Sequence, residues 1–251
     1  MVINKKHSEL IFTDNTVIKT TSPELMSIEY EKHKRAYEIG KESGLFRVPK
    51  IYEIDLNKGV MTLEYINNLT RFSSLLFQTS DLTERVGRSL AVIHKSLSLS
   101  DEMISAIPDE IASTDEVFLH GDFNGENVCI DKSDNSIVIL DWQMTSVYGG
   151  KATYGSRLFD LIWFITYSFW EPKIKDIYSN RAIQMANLFI DSYIDESNSS
   201  FEKKDIYRYA QDFFELELVK VAKNKSIKKN ILLKYSLHLN KKFIKSMNGI
   251  Y

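Results

Sequence analysis

The sequence predicts an α+β fold in two lobes: a small N-terminal antiparallel sheet with one helix, then a larger, mainly helical lobe containing a hairpin. Three observations predict it. Residues 10–66 hold short β-type runs on either side of one capped helix. Beyond them the apolar spacing turns helical, and residues 157–251 read as helix almost throughout. Between these stretches, "NVCID" and "SIVILDW" flank the turn residues "KSDN", which reads as a hairpin.

Taken in order, "LIFTDNTVIKT" at 10–20 gives two strands around a "TDNT" turn. In "TSPELMSIEYEKHKRAYEIGKESG" Ser22 caps a helix, Pro23 suits its first position, and Gly40 or Gly44 ends it. "FRVPKIYEID" and "GVMTLEYI" supply further strands, so the order is β-β-α-β-β to about residue 66. "SDLTERVGRSLAVIHKSL" sets Leu82, Val86, Leu90, Ile93 and Leu97 on one helical stripe. The apolar run "LFDLIWFITYSFW", 158–170, carries Asp160 and is shorter than the ~20 residues a bilayer span needs, so a buried helix is expected. The expected lobes are 1–66 and 67–251, joined through "EYINN".

Composition narrows the function classes. The 251 residues, 43% hydrophobic, suffice for a sizeable core. A formal net charge of -2 argues against an extended nucleic-acid surface. Cys129 is the single cysteine, which excludes an internal disulfide framework and a cysteine-built zinc site. "MVINKKHSEL" lacks the apolar core of a signal peptide. With no membrane span, the expected location is cytoplasmic.

The chemistry concentrates in "HGDFNGEN", residues 120–127, and "ILDWQ", residues 139–143. Asp122 and Asn127 stand five apart on a loop entering a strand, and Asp141 ends the hairpin's second strand, where it can meet them. Carboxylate and amide oxygens suit Mg²⁺, which keeps waters and recruits substrate phosphates. A further carboxylate that binds no metal can orient an attacking hydroxyl and accept its proton. One base and two metal ligands are the minimum set for moving a phosphoryl group to an alcohol. Each residue alone is an ordinary turn residue; the joint pattern is much rarer.

"HGDFNGENVCI…IVILDWQ" resembles the catalytic core of the aminoglycoside phosphotransferase and choline kinase-like superfamily, small-molecule kinases with a protein-kinase-like fold. "VGRSLAVIHKSL", "FRVPKIYEID" and "GSRLFDLIWF" are similar to its neighbouring segments, and the likeness runs from about residue 15 to 168. The resemblance implies that Asp122 is the catalytic base, that Asn127 and Asp141 are Mg²⁺ ligands, that His120 supports the loop and that Asp160 anchors it. It also implies a strand lysine for the nucleotide phosphates, here Lys19, oriented by a helix glutamate. Glu29 is preferred over Glu31, which falls beside Lys34 and Arg35 on another face. "LEYI", with Glu64 and Ile66, resembles the hinge that holds adenine through its main chain. ATP and Mg²⁺ are the implied cofactors, with GTP an open alternative.

The pattern also departs from its relatives. No glycine occurs before Gly40, so "TDNT", with Asn15 or Thr16 donating, is the expected turn over the phosphates. Only 18 residues lie between Asp141 and Asp160, which favours a small-molecule acceptor over a protein. Trp170, Glu171, Asp176, Asp212, Phe213, Phe214, Glu215 and Glu217 could wall a pocket for a cationic hydroxylated acceptor, or simply form amphipathic faces. The basic run "KNKSIKKN", 223–230, reads as a solvated helix end. The expected reaction is γ-phosphate transfer to a small-molecule hydroxyl. The alternatives are a non-catalytic pseudokinase, or a kinase acting on a protein or a lipid-linked saccharide.

Overall fold

A computed structural model describes residues 2–4, 8–75, 79–107, 115–169, 180–198, 202–222 and 238–245, with only the backbone in 214–222. The N-terminal sheet holds β1 (Val2–Asn4), β2 (Glu9–Phe12), β3 (Thr16–Thr20), β4 (Ile51–Asp55) and β5 (Val60–Glu64) in the antiparallel order β1-β2-β3-β5-β4. The expected order therefore gains a strand, β1, at the edge. It is three residues long, too short to show alternation.

Helix α1 (Pro23–Ser43) starts as its residues dictate: the Ser22 hydroxyl accepts the Leu25 N–H at 3.4 Å, with Pro23 behind it. Gly44, at φ 66, ends it, and the Gly44 N–H donates to Gly40. Gly40 instead lies inside the helix, where a Cβ would come within 2.7 Å of the Phe46 carbonyl. The buried face of α1 carries Met26, Ala36 and Ile39, and among them Glu29, Lys32 and His33. The His33 Nε2–H donates to the Pro49 carbonyl at 2.6 Å.

Burial lowers the His33 pKa to about 4, against the help of that bond, so the folded protein keeps the ring neutral. The unfolded chain takes up this proton first, near its ordinary value. Stability from His33 is thus present above about pH 6.5 and is lost as pH falls towards about 4. The expected loss is on the order of a few kcal/mol, each tenfold in proton affinity being worth about 1.4 kcal/mol. Urea unfolding at about pH 7.5 and about pH 5 reads it, and His33→Asn should flatten the dependence. An unchanged slope in that variant would remove His33 as its source.

The second half of the fold is built around a small sheet, β6 (Leu69–Arg71), β8 (Val128–Asp131) and β9 (Ile137–Ile139), ordered β6-β8-β9. The predicted hairpin is β8–β9, with Val128 opposite Ile139. Both strands are buried along their length, which explains their unbroken apolar run. Arg47 stitches this sheet to the first. Its N–H donates to Ile137 and its carbonyl accepts from Ile139, while its guanidinium lies 3.2 Å from Asp131 and 3.7 Å from Glu64. A further pair, β7 (Glu116–Phe118) with β10 (Tyr154–Ser156), frames the loops between.

Helices α2 (Ser80–Ser96), α3 (Arg157–Ser168), α4 (Arg181–Ser197) and α5 (Lys203–Ala222) form the rest, with 238–245 also helical. The α2 stripe Leu82, Val86, Leu90, Ile93 and Leu97 is buried as its spacing predicts. Gly87 lets α4 approach, since a Cβ there would meet the Phe189 carbonyl at 2.5 Å. The expected buried helix at 158–170 is α3, and Asp160 is fully buried within it. No helix among the described residues is long and apolar enough to cross a membrane.

Candidate active site

Two chain reversals make the site. At Gly121 φ is 86°, and a Cβ would fall 2.9 Å from the Met144 sulfur, so only glycine lets the loop turn there. Beneath this turn the Asp160 carboxylate accepts the N–H groups of His120 at 2.7 Å and Gly121 at 2.9 Å. Burial works against its charge, but the His94 hydrogen bond, His120 and the Gly121 N–H hold its pKa below the ordinary value. His120 Nδ1 accepts the Asp122 N–H at 3.2 Å, so its hydrogen sits on Nε2 and is donated to the Leu140 carbonyl at 3.2 Å. Burial lowers its pKa to about 4, and the neutral ring braces the loop against Trp142.

Asp122 is half-buried, and its carboxylate accepts three hydrogen bonds. Its Oδ1 accepts from Trp163 Nε1 at 3.0 Å and from Asn124 Nδ2 at 2.9 Å, and its Oδ2 from Asn127 Nδ2 at 2.9 Å. Burial, then the Asp141 charge, push its pKa up to about 6 against these three bonds. Asn127 also donates to the Asp122 carbonyl at 2.9 Å, which ties both ends of the loop together. Its own carbonyl accepts the Leu140 N–H at 2.9 Å, so the hairpin register brings Asp141 alongside Asn127.

The second reversal is Asp141 itself, at φ 56, a left-handed conformation that Asp tolerates better than most residues. Its Oδ1 meets Lys19 Nζ at 2.6 Å, and the same amine meets Glu29 Oε1 at 2.6 Å. Burial opposes the Lys19 charge, yet Asp141 and Glu29 outweigh it and raise the pKa above its usual value. Burial pushes the Glu29 carboxyl up against the pull of Lys19. Glu29 rather than the half-buried Glu31 takes the lysine, as helical spacing indicates.

Among the described residues no group of three or more His, Cys, Asp or Glu is arranged to hold a metal ion. The Asn127 amide and Asp141 carboxylate nevertheless form an oxygen-only pair on adjacent hairpin ends. Such a donor set fits Mg²⁺, which takes one or two protein oxygens and completes its shell with phosphates and water.

The hinge candidates are partly committed. The Glu64 carboxylate accepts the Lys50 N–H at 3.1 Å, its own N–H donates to Lys50, and the Tyr65 N–H donates to Asn15. Ile66 is the next residue beyond these bonds. In the "TDNT" turn the Thr16 N–H and hydroxyl are engaged by Thr13, at 3.0 and 2.7 Å. Of the acceptor-wall candidates, Phe213 is buried against Trp163 and Phe159, and Asp212 is half-buried. Trp170, Glu171, Asp176, the side chains of Phe214, Glu215 and Glu217, and residues 223–230 lie outside the described residues.

Three side chains at the site were missed by sequence reasoning. Asn124 accepts the N–H groups of Glu126 at 2.8 Å and Asn127 at 3.2 Å while donating to Asp122. Its place in an Asx-type turn was the available signal. Trp163 sat unnoticed in an apolar run. Lys32, three residues after Glu29, is fully buried and donates to the His120 carbonyl at 2.6 Å. Burial lowers its pKa to about 8, with Asp160, Glu29, Asp141 and Asp122 pulling the other way.

Residues 63–186 match the sequence model of the phosphotransferase enzyme family. No curated protein sequence matches the chain. Among solved structures, a glucosamine kinase with glucosamine, ADP and inorganic phosphate is similar at TM-score 0.65 and 14% identity, over 99% of this chain and 81% of that one. A spectinomycin phosphotransferase with ADP and spectinomycin aligns at 0.57 and 12%, over 98% and 88%. The choline kinase LicA from Streptococcus pneumoniae aligns at 0.51 and 16%, over 99% and 94%. The structural likenesses bear out the two-lobed kinase-like fold, and the family-model match over 63–186 agrees with the resemblance read from the catalytic motif.

Proposed function

We propose that this chain, a two-lobed kinase fold whose central half matches the phosphotransferase enzyme family, moves the γ-phosphate of ATP to a hydroxyl of a small molecule. What supports the reading is the hydrogen-bonded Asp122–Asn127 pair, with Asp141 next in register to it and paired in turn with the buried Lys19–Glu29 couple. In this reading Asp122 orients the acceptor hydroxyl and takes its proton as the new O–P bond forms and ADP leaves. Trp163, Asn124 and Asn127 aim its carboxylate. Lys19, oriented by Glu29, holds the nucleotide phosphates, and the main chain around Glu64 and Ile66 holds the adenine. Asn127 and Asp141 would hold Mg²⁺, which would supply charge neutralisation at the phosphates. Catalysis then rests on alignment and electrostatics. The lobes divide near residue 66.

The arrangement of Lys19 with Glu29 and Asp141 on the N-terminal sheet and helix favours this reading over the pseudokinase alternative. The relatives named above point to hydroxylated amines as the acceptors to try first. The test is Mg²⁺–ATP turnover across choline, ethanolamine, glucosamine, spectinomycin and other aminoglycosides, with the phosphorylated product detected by mass spectrometry. No product from any acceptor, together with no stabilisation by Mg²⁺–ATP, would sink the reading.

The metal assignment has its own test. ADP at about 100 times its Kd with Mg²⁺ should stabilise the parent by about 2.7 kcal/mol. Asp141→Asn should lose most of the Mg²⁺-dependent part of that gain in a thermal-shift titration. A variant whose shift still responds to Mg²⁺ like the parent places the cation elsewhere.

A further inference from the structure

We propose that Lys32 is a positioning residue for phosphoryl transfer: its amine locks the helix carrying Glu29 onto the catalytic loop, fixing the phosphate-binding and base halves of the site in one frame. The proposal rests on the phosphotransferase reading above and deepens it.

Lys32 is fully buried, and an ammonium is costly to place there. A methionine or leucine would fill similar volume without that cost, though it would leave the His120 carbonyl and the neighbouring acids without the amine. Packing alone therefore gives no reason for a lysine. What the amine supplies is a donor: Nζ reaches the His120 carbonyl at 2.6 Å, across 88 residues of sequence.

The two ends of this bond explain its use. Lys32 and Glu29 are three apart on α1, hence on one face. Glu29 grips Lys19, so this face carries both the group that sets the phosphate-binding lysine and the group that grips the loop. His120 lies two residues before Asp122, and Asp160 holds the same peptide stretch through the His120 and Gly121 N–H groups. The loop main chain is thus clamped between α3, through its donors, and α1, through its carbonyl. Removing the α1 clamp leaves Asp122 attached to the helical lobe and takes away one of two ties that set its register against Lys19, the other being the Lys19–Asp141 pair. Misregister of about 1 Å between reacting groups can cost about 10²-fold in rate.

Lys32→Met tests this. Parent and variant are compared for urea stability and for kcat and the ATP KM in Mg²⁺–ATP turnover, using the acceptor the parent phosphorylates or, failing one, water. The expected result is a folded variant whose kcat falls roughly 10²-fold with the ATP KM within about threefold. Lys32→Gln, which keeps an N–H donor on a shorter stem, should fall between the two. A kcat within about twofold of the parent's, whatever the stability change, overturns the assignment. If neither variant folds, Lys32 serves folding and the assignment is likewise overturned. A parent that neither binds nor turns over Mg²⁺–ATP sinks the phosphotransferase reading itself, and this one with it.

Discussion

Asp122→Ala is expected to lower phosphoryl transfer by roughly 10²- to 10⁴-fold, the range a general base contributes, while nucleotide binding stays close to the parent's. The first half follows from position. Asp122 is the half-buried carboxylate of the loop, held by three donors from three different residues, Trp163, Asn124 and Asn127. A side chain so restrained loses little freedom when it meets a hydroxyl. The second half follows from the remaining contacts: Lys19, Glu29 and Asp141 bond one another, and Asn127 keeps its bond to the Asp122 main-chain carbonyl when the carboxylate is removed. Single-turnover transfer and an ADP titration together check the result. Transfer at the parent rate would move the base role to another residue.

Asp160→Ala is expected to cost about 3–5 kcal/mol of stability, as removing one partner of a buried charged network does. Three donors converge on this carboxylate from His94, His120 and Gly121, and it has no exposure to water. Alanine would leave all three without an acceptor in a closed core, each at a desolvation cost. His94 is itself tied to Tyr193 at 2.8 Å, so the loss would spread into the packing of α2 against α4. Urea denaturation should show a lower midpoint. An unfolding free energy within about 0.5 kcal/mol of the parent's would mean that the network reorganises without its centre.

Much of this was legible in the sequence because its signals were local. Ser22, Pro23 and Gly44 mark α1 by capping chemistry, and the α2 stripe is a spacing argument. "HGDFNGEN" and the hairpin place Asn127 beside Asp141 through register alone. The short strands β1, β6, β7 and β10 were not legible: unlike the equally short β9, none is marked by an apolar run beside a hairpin turn, and they exist because partners elsewhere need pairing. Trp163 was hidden by its neighbours, since an indole in an apolar helix reads as core until its N–H is seen on Asp122. Lys32 was hidden by its type. Residue chemistry sends lysine to solvent, and only the fold reveals a carbonyl waiting for it.

Arg47 sets a mechanical limit on the enzyme. The Arg47 main chain is paired into β9 and its guanidinium reaches Asp131 on β8, so a shift of one sheet against the other falls on the Arg47–Glu64 contact. That part-exposed pair, 3.7 Å apart, is the yielding point of the seam.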